Sequence, residues 1–207
     1  MKPATDNELF VQKLKTEGSI KSKSVFEAFL KIDRADFVPE LYKPDAYLDE
    51  PIPLGPDEIS TSQPSTIAFM LEILQTGPGQ KVLEIGAGSG YLTALLAVIV
   101  GSKGAVHSIE YEPGLKDFAQ KNLQRYDFAN IELLTGDGKK GLPNQAPFDR
   151  IISSAEISRV PKTWKRQLAS GGILITPSGS EILKIVKKPG GKFSREEYPA
   201  FAFIGIK

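Results

Sequence analysis

The chain has 207 residues, 41% of them hydrophobic and 25% charged, with a formal net charge of +1. A chain of that length buries about 70% of its unfolded surface, so it can build a core without staples, and wholesale disorder is excluded. Its lack of cysteine excludes disulfides, thiolate zinc sites and cysteine nucleophiles, and its single histidine, His107, argues against multi-histidine metal sites and hydrolytic triads.

In chain order, Leu9, Phe10, Lys13 and Leu14 recur at helical spacing over residues 7–15, and Gly18 ends that pattern. Ser22 or Ser24 can cap a second helix with an apolar stripe of Val25, Phe26, Phe29 and Leu30. Residues 37–64 hold Pro39, Pro44, Pro51, Pro53, Pro56 and Pro64, too many for a helix or a central strand. A loop that long inside a compact domain is usually functional. Ser62 then reads as an N-cap, with Pro64 in the first turn and Ile67, Met70, Leu71 and Leu74 facing a core.

From Lys81 the pattern alternates strand and helix. Strands are expected at 82–85, 105–110, 131–134, 148–153 and 173–176, with helices over 92–100, 115–123 and 162–168. A Gly171-Gly172 turn precedes the fifth of these strands. Two further strands, at 182–188 and 197–206, flank Pro189-Gly190-Gly191 as an antiparallel pair. Such alternation specifies a three-layer α/β fold: a Rossmann-like sheet of about seven strands, mostly parallel, with an antiparallel C-terminal hairpin. One domain over 1–207 is expected, with a helical, substrate-covering segment at 1–75 and a cofactor-binding core at 76–207.

The informative stretch is Glu84-Ile85-Gly86-Ala87-Gly88-Ser89-Gly90, between a strand and a helix. Its glycines let the backbone turn and approach a ligand, whose anionic group can meet the amides opening the next helix. The dinucleotide fingerprint requires glycine at its sixth position, and here that residue is Tyr91, which disfavours a dehydrogenase. The spacing Glu-x-Gly-x-Gly-x-Gly is instead that of S-adenosylmethionine enzymes. Glu110 ends the second strand, where a carboxylate accepts both hydroxyls of a ribose. Asp137, in Gly136-Asp137-Gly138, follows the third strand, where an acid can receive an adenine amino group. The expected cofactor site gathers Glu84, Gly86, Ala87, Gly88, Ser89, Gly90, Glu110, Tyr111 and Asp137, with no metal.

Several segments together resemble the protein-L-isoaspartate O-methyltransferases, over about residues 25–188. They are Phe37-Val38-Pro39, Ala46-Tyr47-Leu48-Asp49, Pro51-Ile52-Pro53-Leu54-Gly55, Ser62-Gln63-Pro64, the glycine loop with Tyr91, and Ser108-Ile109-Glu110. Gly136-Asp137-Gly138, Gly141-Leu142-Pro143, Ala146-Pro147-Phe148-Asp149 and Val160-Pro161 complete the set. The glycine motif is common to class I methyltransferases, whereas Phe-Val-Pro, Ser-Gln-Pro and Ala-Pro-Phe-Asp are more specific to this family. The resemblance implies methyl transfer from S-adenosyl-L-methionine to the α-carboxylate of L-isoaspartyl residues, as protein repair, with S-adenosyl-L-homocysteine as product. It makes Ser62 the active-site serine, Glu110 the ribose ligand, and Asp137 with Gly138 the adenine site. It also implies a seven-stranded sheet with added N-terminal helices.

The chain departs from the family pattern in three places. Gly55–Ser62 is one residue longer and lacks a glycine and a glutamine, Ser180-Glu181-Ile182 is shortened, and the usual Phe-Val-Pro ending reads Phe203-Ile204-Gly205. Two other readings stay open: a class I methyltransferase for tRNA adenine or a small molecule, and a non-catalytic nucleoside binder.

Residues 159–207 hold ten basic and three acidic side chains, yet the chain as a whole is near neutral. That balance argues against RNA, whose affinity is dominated by phosphate contacts. The longest apolar run, Leu95–Val100, is far below the roughly 20 residues of a membrane helix, and residues 1–6 lack a signal-peptide core. A cytoplasmic monomer acting on isoaspartyl peptides or proteins, without nucleic acid or membrane, is expected. His107 and Trp164 read as packing residues, and Tyr91 as packing beside the glycine loop.

Overall fold

The computed structural model describes residues 3–55 and 59–199. Helix α1 (Asp6–Thr16) opens on a capping box in which Thr5 accepts from the Glu8 amide while the Glu8 carboxylate accepts from the Thr5 amide. Helix α2 (Lys23–Lys31) is capped by Ser22 rather than Ser24, and buries Val25, Ala28 and Phe29. The Glu72 carboxylate accepts from the amides of Lys21 and Ser22, which ties the entry of α2 to a later helix.

The proline-rich segment is built without long regular elements, as its composition requires. Two 3₁₀ turns (Arg34–Phe37 and Glu40–Asp45) lead to strand β1 (Ile52–Pro53), which pairs antiparallel with β2 (Ser60–Thr61). Helix α3 (Pro64–Leu74) follows, with Pro64 in its first turn. Ser62 is not its cap. Gln63 holds that position without a side-chain capping bond, and the Ser65 amide is satisfied by Asp49 instead.

The remaining elements are β3 (Lys81–Ile85), α4 (Tyr91–Val100), β4 (Ala105–Glu110), α5 (Pro113–Leu123), β5 (Ile131–Thr135), β6 (Phe148–Ser153), α6 (Lys162–Gln167), β7 (Leu168–Ser178), β8 (Glu181–Lys187) and β9 (Phe193–Pro199). Strands β3 to β9 form a seven-stranded sheet in the order β5-β4-β3-β6-β7-β8-β9. Strands β3 to β7 run parallel, and β8 and β9 each run antiparallel to the preceding strand. Alternate residues of one strand enter opposite cores. Val82, Ile152, Ile173 and Ile175 pack with α1 to α4, while Leu83, Ile85, Ile151 and Leu174 pack with Trp164 of α6. Both sheet faces are thus buried, which explains the nearly unbroken apolar runs of β3 and β6.

The two covering layers are unequal. One face carries α1 to α4 together with Leu123 of α5; the other is sealed by α6 and partly buried Leu142, Ala146 and Val160. Trp164 anchors that thinner layer. It is fully buried, and its indole Nε1 donates to the Gly138 carbonyl at 2.8 Å. His107 packs edge-on to Phe148, with Nδ1 2.7 Å from a Glu132 carboxylate oxygen, so both it and Trp164 have the packing roles their positions suggest.

Two strands depart from expectation. Gly171 and Gly172 do not separate helix from strand but lie inside β7, at a register shift opposite Phe148 and Arg150. There Gly171 takes φ +78°, which only glycine adopts cheaply. Strand β9 begins at Phe193, because the turn over residues 189–191 is tight and the Lys188 amide bonds the Lys192 carbonyl at once. Residues 200–206 of the expected last strand, with Phe203-Ile204-Gly205, lie outside the described residues.

Two glycines test this packing in opposite directions. A Cβ on Gly104 would stand 2.5 Å from the Val100 Cβ and 2.7 Å from the Gln80 carbonyl oxygen, whereas one on Gly114 in α5 meets open space. Gly104→Ala is expected to destabilise by about 1–3 kcal/mol through overpacking. Gly114→Ala is expected to stabilise by about 0.5–1 kcal/mol. Urea-denaturation midpoints measure both.

Candidate active site

Parallel strands place their carboxyl ends on one side of a sheet, and the order in which strands are added reverses between the adjacent strands β3 and β6. A cleft of about 1090 Å³, including open solvent at its mouth, lies beyond those ends. Its floor is Gly86–Ser89 after β3, Ile109–Glu112 at the end of β4, Gly138 after β5, and Ser154-Ala155 after β6. Leu54 and Ile59–Ser62 from the proline-rich segment form the opposite wall.

The glycine loop owes its shape to backbone that side chains disfavour. Gly86, Gly88 and Gly90 have φ of +85°, +55° and +87°. A Cβ on Gly88 would meet Leu54 at 3.6 Å, so the loop and the wall approach closely. Gly90 does not line the cleft. It lets α4 meet α5, since its Cβ would come within 3.3 Å of Ala119 and Leu123. Asn122 of α5, which the sequence reading did not single out, is buried and donates from Nδ2 to the Ser89 carbonyl.

Glu110 is buried and its carboxylate is fixed from three sides. Oε2 accepts from the Gly88 amide at 2.8 Å, and Oε1 accepts from the amides of Tyr111 and Glu112 at 2.9 and 3.1 Å. Three charge-assisted bonds leave the carboxylate further acceptor capacity toward the cleft. Tyr111, exposed, stands at the rim beside it.

Glu84 and Asp137 stand elsewhere than expected. Glu84 does not face the cleft. It is fully buried beneath the loop, and its Oε2 accepts from Thr93 of α4 at 2.5 Å and Ser108 of β4 at 2.7 Å. Its position on β3 points it into the sheet-helix interface, where it joins the elements flanking the loop. Asp137 likewise misses the cleft wall, because its Oδ1 is used by the Lys139 amide to cap the turn 138–140. Its neighbour Gly138 does line the cleft. Of the expected cofactor residues, Gly86, Ala87, Gly88, Ser89, Glu110, Tyr111 and Gly138 therefore come together there, with Ser62 facing them.

Ser62 is half-buried, and among the described residues no side-chain hydrogen bond engages its hydroxyl. Ser60, one strand repeat earlier, lines the same wall. That alternation was the available sequence signal for it. Tyr91 is buried among Phe29 and Phe37, as its position beside the loop suggested.

Comparison with known proteins follows the same outline. Residues 4–207 match the family model described as Protein-L-isoaspartate(D-aspartate) O-methyltransferase (PCMT). The chain belongs to the protein-L-isoaspartate O-methyltransferase family. Among curated relatives, the protein-L-isoaspartate O-methyltransferase of Pyrococcus horikoshii is 44% identical over 95% of this chain and 90% of its own length. That of Methanopyrus kandleri is 40% identical over 96% and 90%. A solved protein-L-isoaspartate O-methyltransferase, 31% identical, superposes with a TM-score of 0.87 over 97% of this chain and 66% of its own. A Plasmodium falciparum chain solved in complex with S-adenosyl-L-homocysteine shares the fold, with a TM-score of 0.86 at 23% identity. No helix among the described residues of this family member is long and apolar enough to cross a membrane.

Burial pushes the Glu84 carboxyl up to about 8, against the hydrogen bonds from Thr93 and Ser108 that favour its ionised form. An unfolded glutamate titrates near 4.3, so the folded chain holds a proton there that the unfolded chain releases between these values. The stability this contributes is complete below about pH 4 and lost as pH rises through 8. Glu84→Gln removes the linkage. Urea unfolding at pH 5, 6.5 and 8 is expected to show wild type losing stability relative to the variant as pH rises, by up to about 1 kcal/mol per pH unit.

Proposed function

We propose that this chain transfers a methyl group from S-adenosyl-L-methionine to the α-carboxylate of L-isoaspartyl residues in proteins and peptides. The observation that carries this reading is the confrontation across one cleft of the Glu110 cradle and the unengaged Ser62 hydroxyl. The cofactor fits the residues present. Glu110 offers acceptor capacity for ribose hydroxyls, and Gly88, without a side chain, admits close approach of a ligand to its backbone. Helix α4 opens with no side-chain cap, and its first residues, Tyr91 and Leu92, line the cleft, so its N-terminal end suits an anionic group. Gly138 would stand on the adenine side, with its carbonyl held in place by Trp164. Asp137 would act there after leaving its capping bond, or chiefly by shaping the turn.

Bound in this way, the cofactor supplies an electrophilic methyl on a positively charged sulfur, which departs as a neutral thioether. The protein's own task is then alignment. A carboxylate of pKa near 4 is almost wholly ionised at neutral pH, so no side chain need remove a proton from the acceptor. Ser62 donates to one carboxylate oxygen and leaves the other to face the methyl in line. A charge-assisted bond of this kind contributes about 1.5–3 kcal/mol, and alignment contributes up to roughly 7–11 kcal/mol in favourable cases. Leu54 and Ile59–Ser62 wall the cleft across from the glycine loop, where an acceptor peptide would lie. We read the protein as acting on polypeptide rather than nucleic acid, on the strength of its near-neutral charge.

The test pairs an isoaspartyl peptide with its normal aspartyl twin and an RNA, each incubated with methyl-labelled cofactor. Base-labile label on the isoaspartyl peptide alone is expected; stable label on RNA, or cofactor binding without turnover, overturns the reading. Ser62→Ala is expected to lower kcat by about tenfold or more with little change in affinity for S-adenosyl-L-homocysteine. Glu110→Ala is expected to weaken that affinity by about tenfold or more in calorimetric titration. Unchanged affinity in the second variant contradicts the ribose cradle.

A further inference from the structure

Arg34 is fully buried, and no ion pair engages it among the described residues. Its guanidinium is held by neutral oxygens instead. Nη1 donates to the carbonyls of Ala46 and Leu48 at 3.0 and 2.8 Å; Nη2 donates to the Glu50 carbonyl at 2.7 Å and to Thr61 Oγ1 at 3.0 Å. Burial of an unneutralised charge is expensive, and an apolar side chain of like volume would pack without that cost. What the guanidinium adds is a rigid planar fork of donors, around which residues 46–50 curl.

The same curl holds a second tether. Asp49 Oδ2 accepts from Gln63 Nε2 at 3.0 Å, and its Oδ1 accepts from the Ser65 amide at 2.8 Å. Arg34 therefore grips the residue before Ser62, and Asp49 grips the residue after it. The Thr61 hydroxyl is held by the guanidinium, and Ser62, the next residue, lines the cleft with its hydroxyl unengaged among the described residues. The Asp49 contact has a further effect: it satisfies the Ser65 amide at the start of α3, a bond the cap residue Gln63 does not supply.

We propose that Arg34 and Asp49 are positioning residues that clamp Thr61 and Gln63 and thereby aim the Ser62 hydroxyl at the acceptor carboxylate. The proposal rests on the methyl-transfer reading above. It differs from a merely stabilising role in one respect: the clamp matters to turnover only through Ser62, and not to cofactor binding.

Thr61→Val removes the hydroxyl that Arg34 grips while keeping the side chain's shape, and Asp49→Asn weakens the second tether. Each is measured alone and in a Ser62→Ala background, for kcat on the isoaspartyl peptide and for S-adenosyl-L-homocysteine affinity. Alone, each is expected to lower kcat by about three- to tenfold, and in the Ser62→Ala background by less than about twofold, with affinity within about twofold throughout. Arg34→Lys keeps the charge but not the fork and is expected to follow Thr61→Val; should it not fold, the other two variants decide the matter. Equal losses of kcat in both backgrounds, or a parallel loss of cofactor affinity, would overturn the clamp while leaving the methyl-transfer reading intact. A wild-type protein that methylates no isoaspartyl peptide would overturn the reading and the clamp with it.

Discussion

A parallel sheet buried on both faces has no polar side on which to place chemistry, so its polar groups collect where the strands stop. In this chain that constraint acts through Glu110. Its carboxylate ends β4 yet reaches sideways to the Gly88 amide, so the end of one strand fixes the loop that follows its neighbour. Asn122 holds the same loop from the helix side, and Glu84 joins the flanking helix and strand from below. The loop therefore stands ready for a ligand before one arrives, which reduces the ordering that binding must impose.

The opposite wall is made differently. Its residues come from a segment too rich in proline to form a sheet layer, and they are held by side-chain bonds to main-chain oxygens. The site thus joins two kinds of construction, a cofactor floor shaped by the sheet and an acceptor wall tied on by Arg34 and Asp49. The family membership of the chain rests on both, since its motifs run through the wall as well as the floor.

This division also explains how much could be seen in the sequence. The floor was legible because its signals are local: glycines after a strand, an acid at the end of the next. Gly86, Gly88 and Glu110 line the cleft where strand-end reasoning put them, and Gly138 where the family resemblance put it. Glu84 was misplaced because strand alternation alone does not say which faces of β3 meet helices. Ser62 was placed correctly at the cleft but not as a cap, because the true capping group, Asp49, lies 16 residues before the Ser65 amide it holds. Arg34 left no signal at all, since three of its four acceptors are backbone carbonyls, which every residue possesses. The β7 irregularity escaped notice because a paired glycine reads as a turn between elements, although here it lets one strand absorb extra residues.

Strand β9 is one of the two edge strands of the described sheet, and its exposed side chains include Arg195, Glu196 and Glu197. Arg195 pairs with Glu197 at 2.7 Å, Glu196 approaches Lys184 of β8 at 3.7 Å, and Pro199 has no amide hydrogen. A foreign strand laid along this border would have to strip water from several charges and would find no amide donor at the proline. These charges on the described edge thus deter pairing with another extended chain, a protection suited to a protein that acts on other polypeptides.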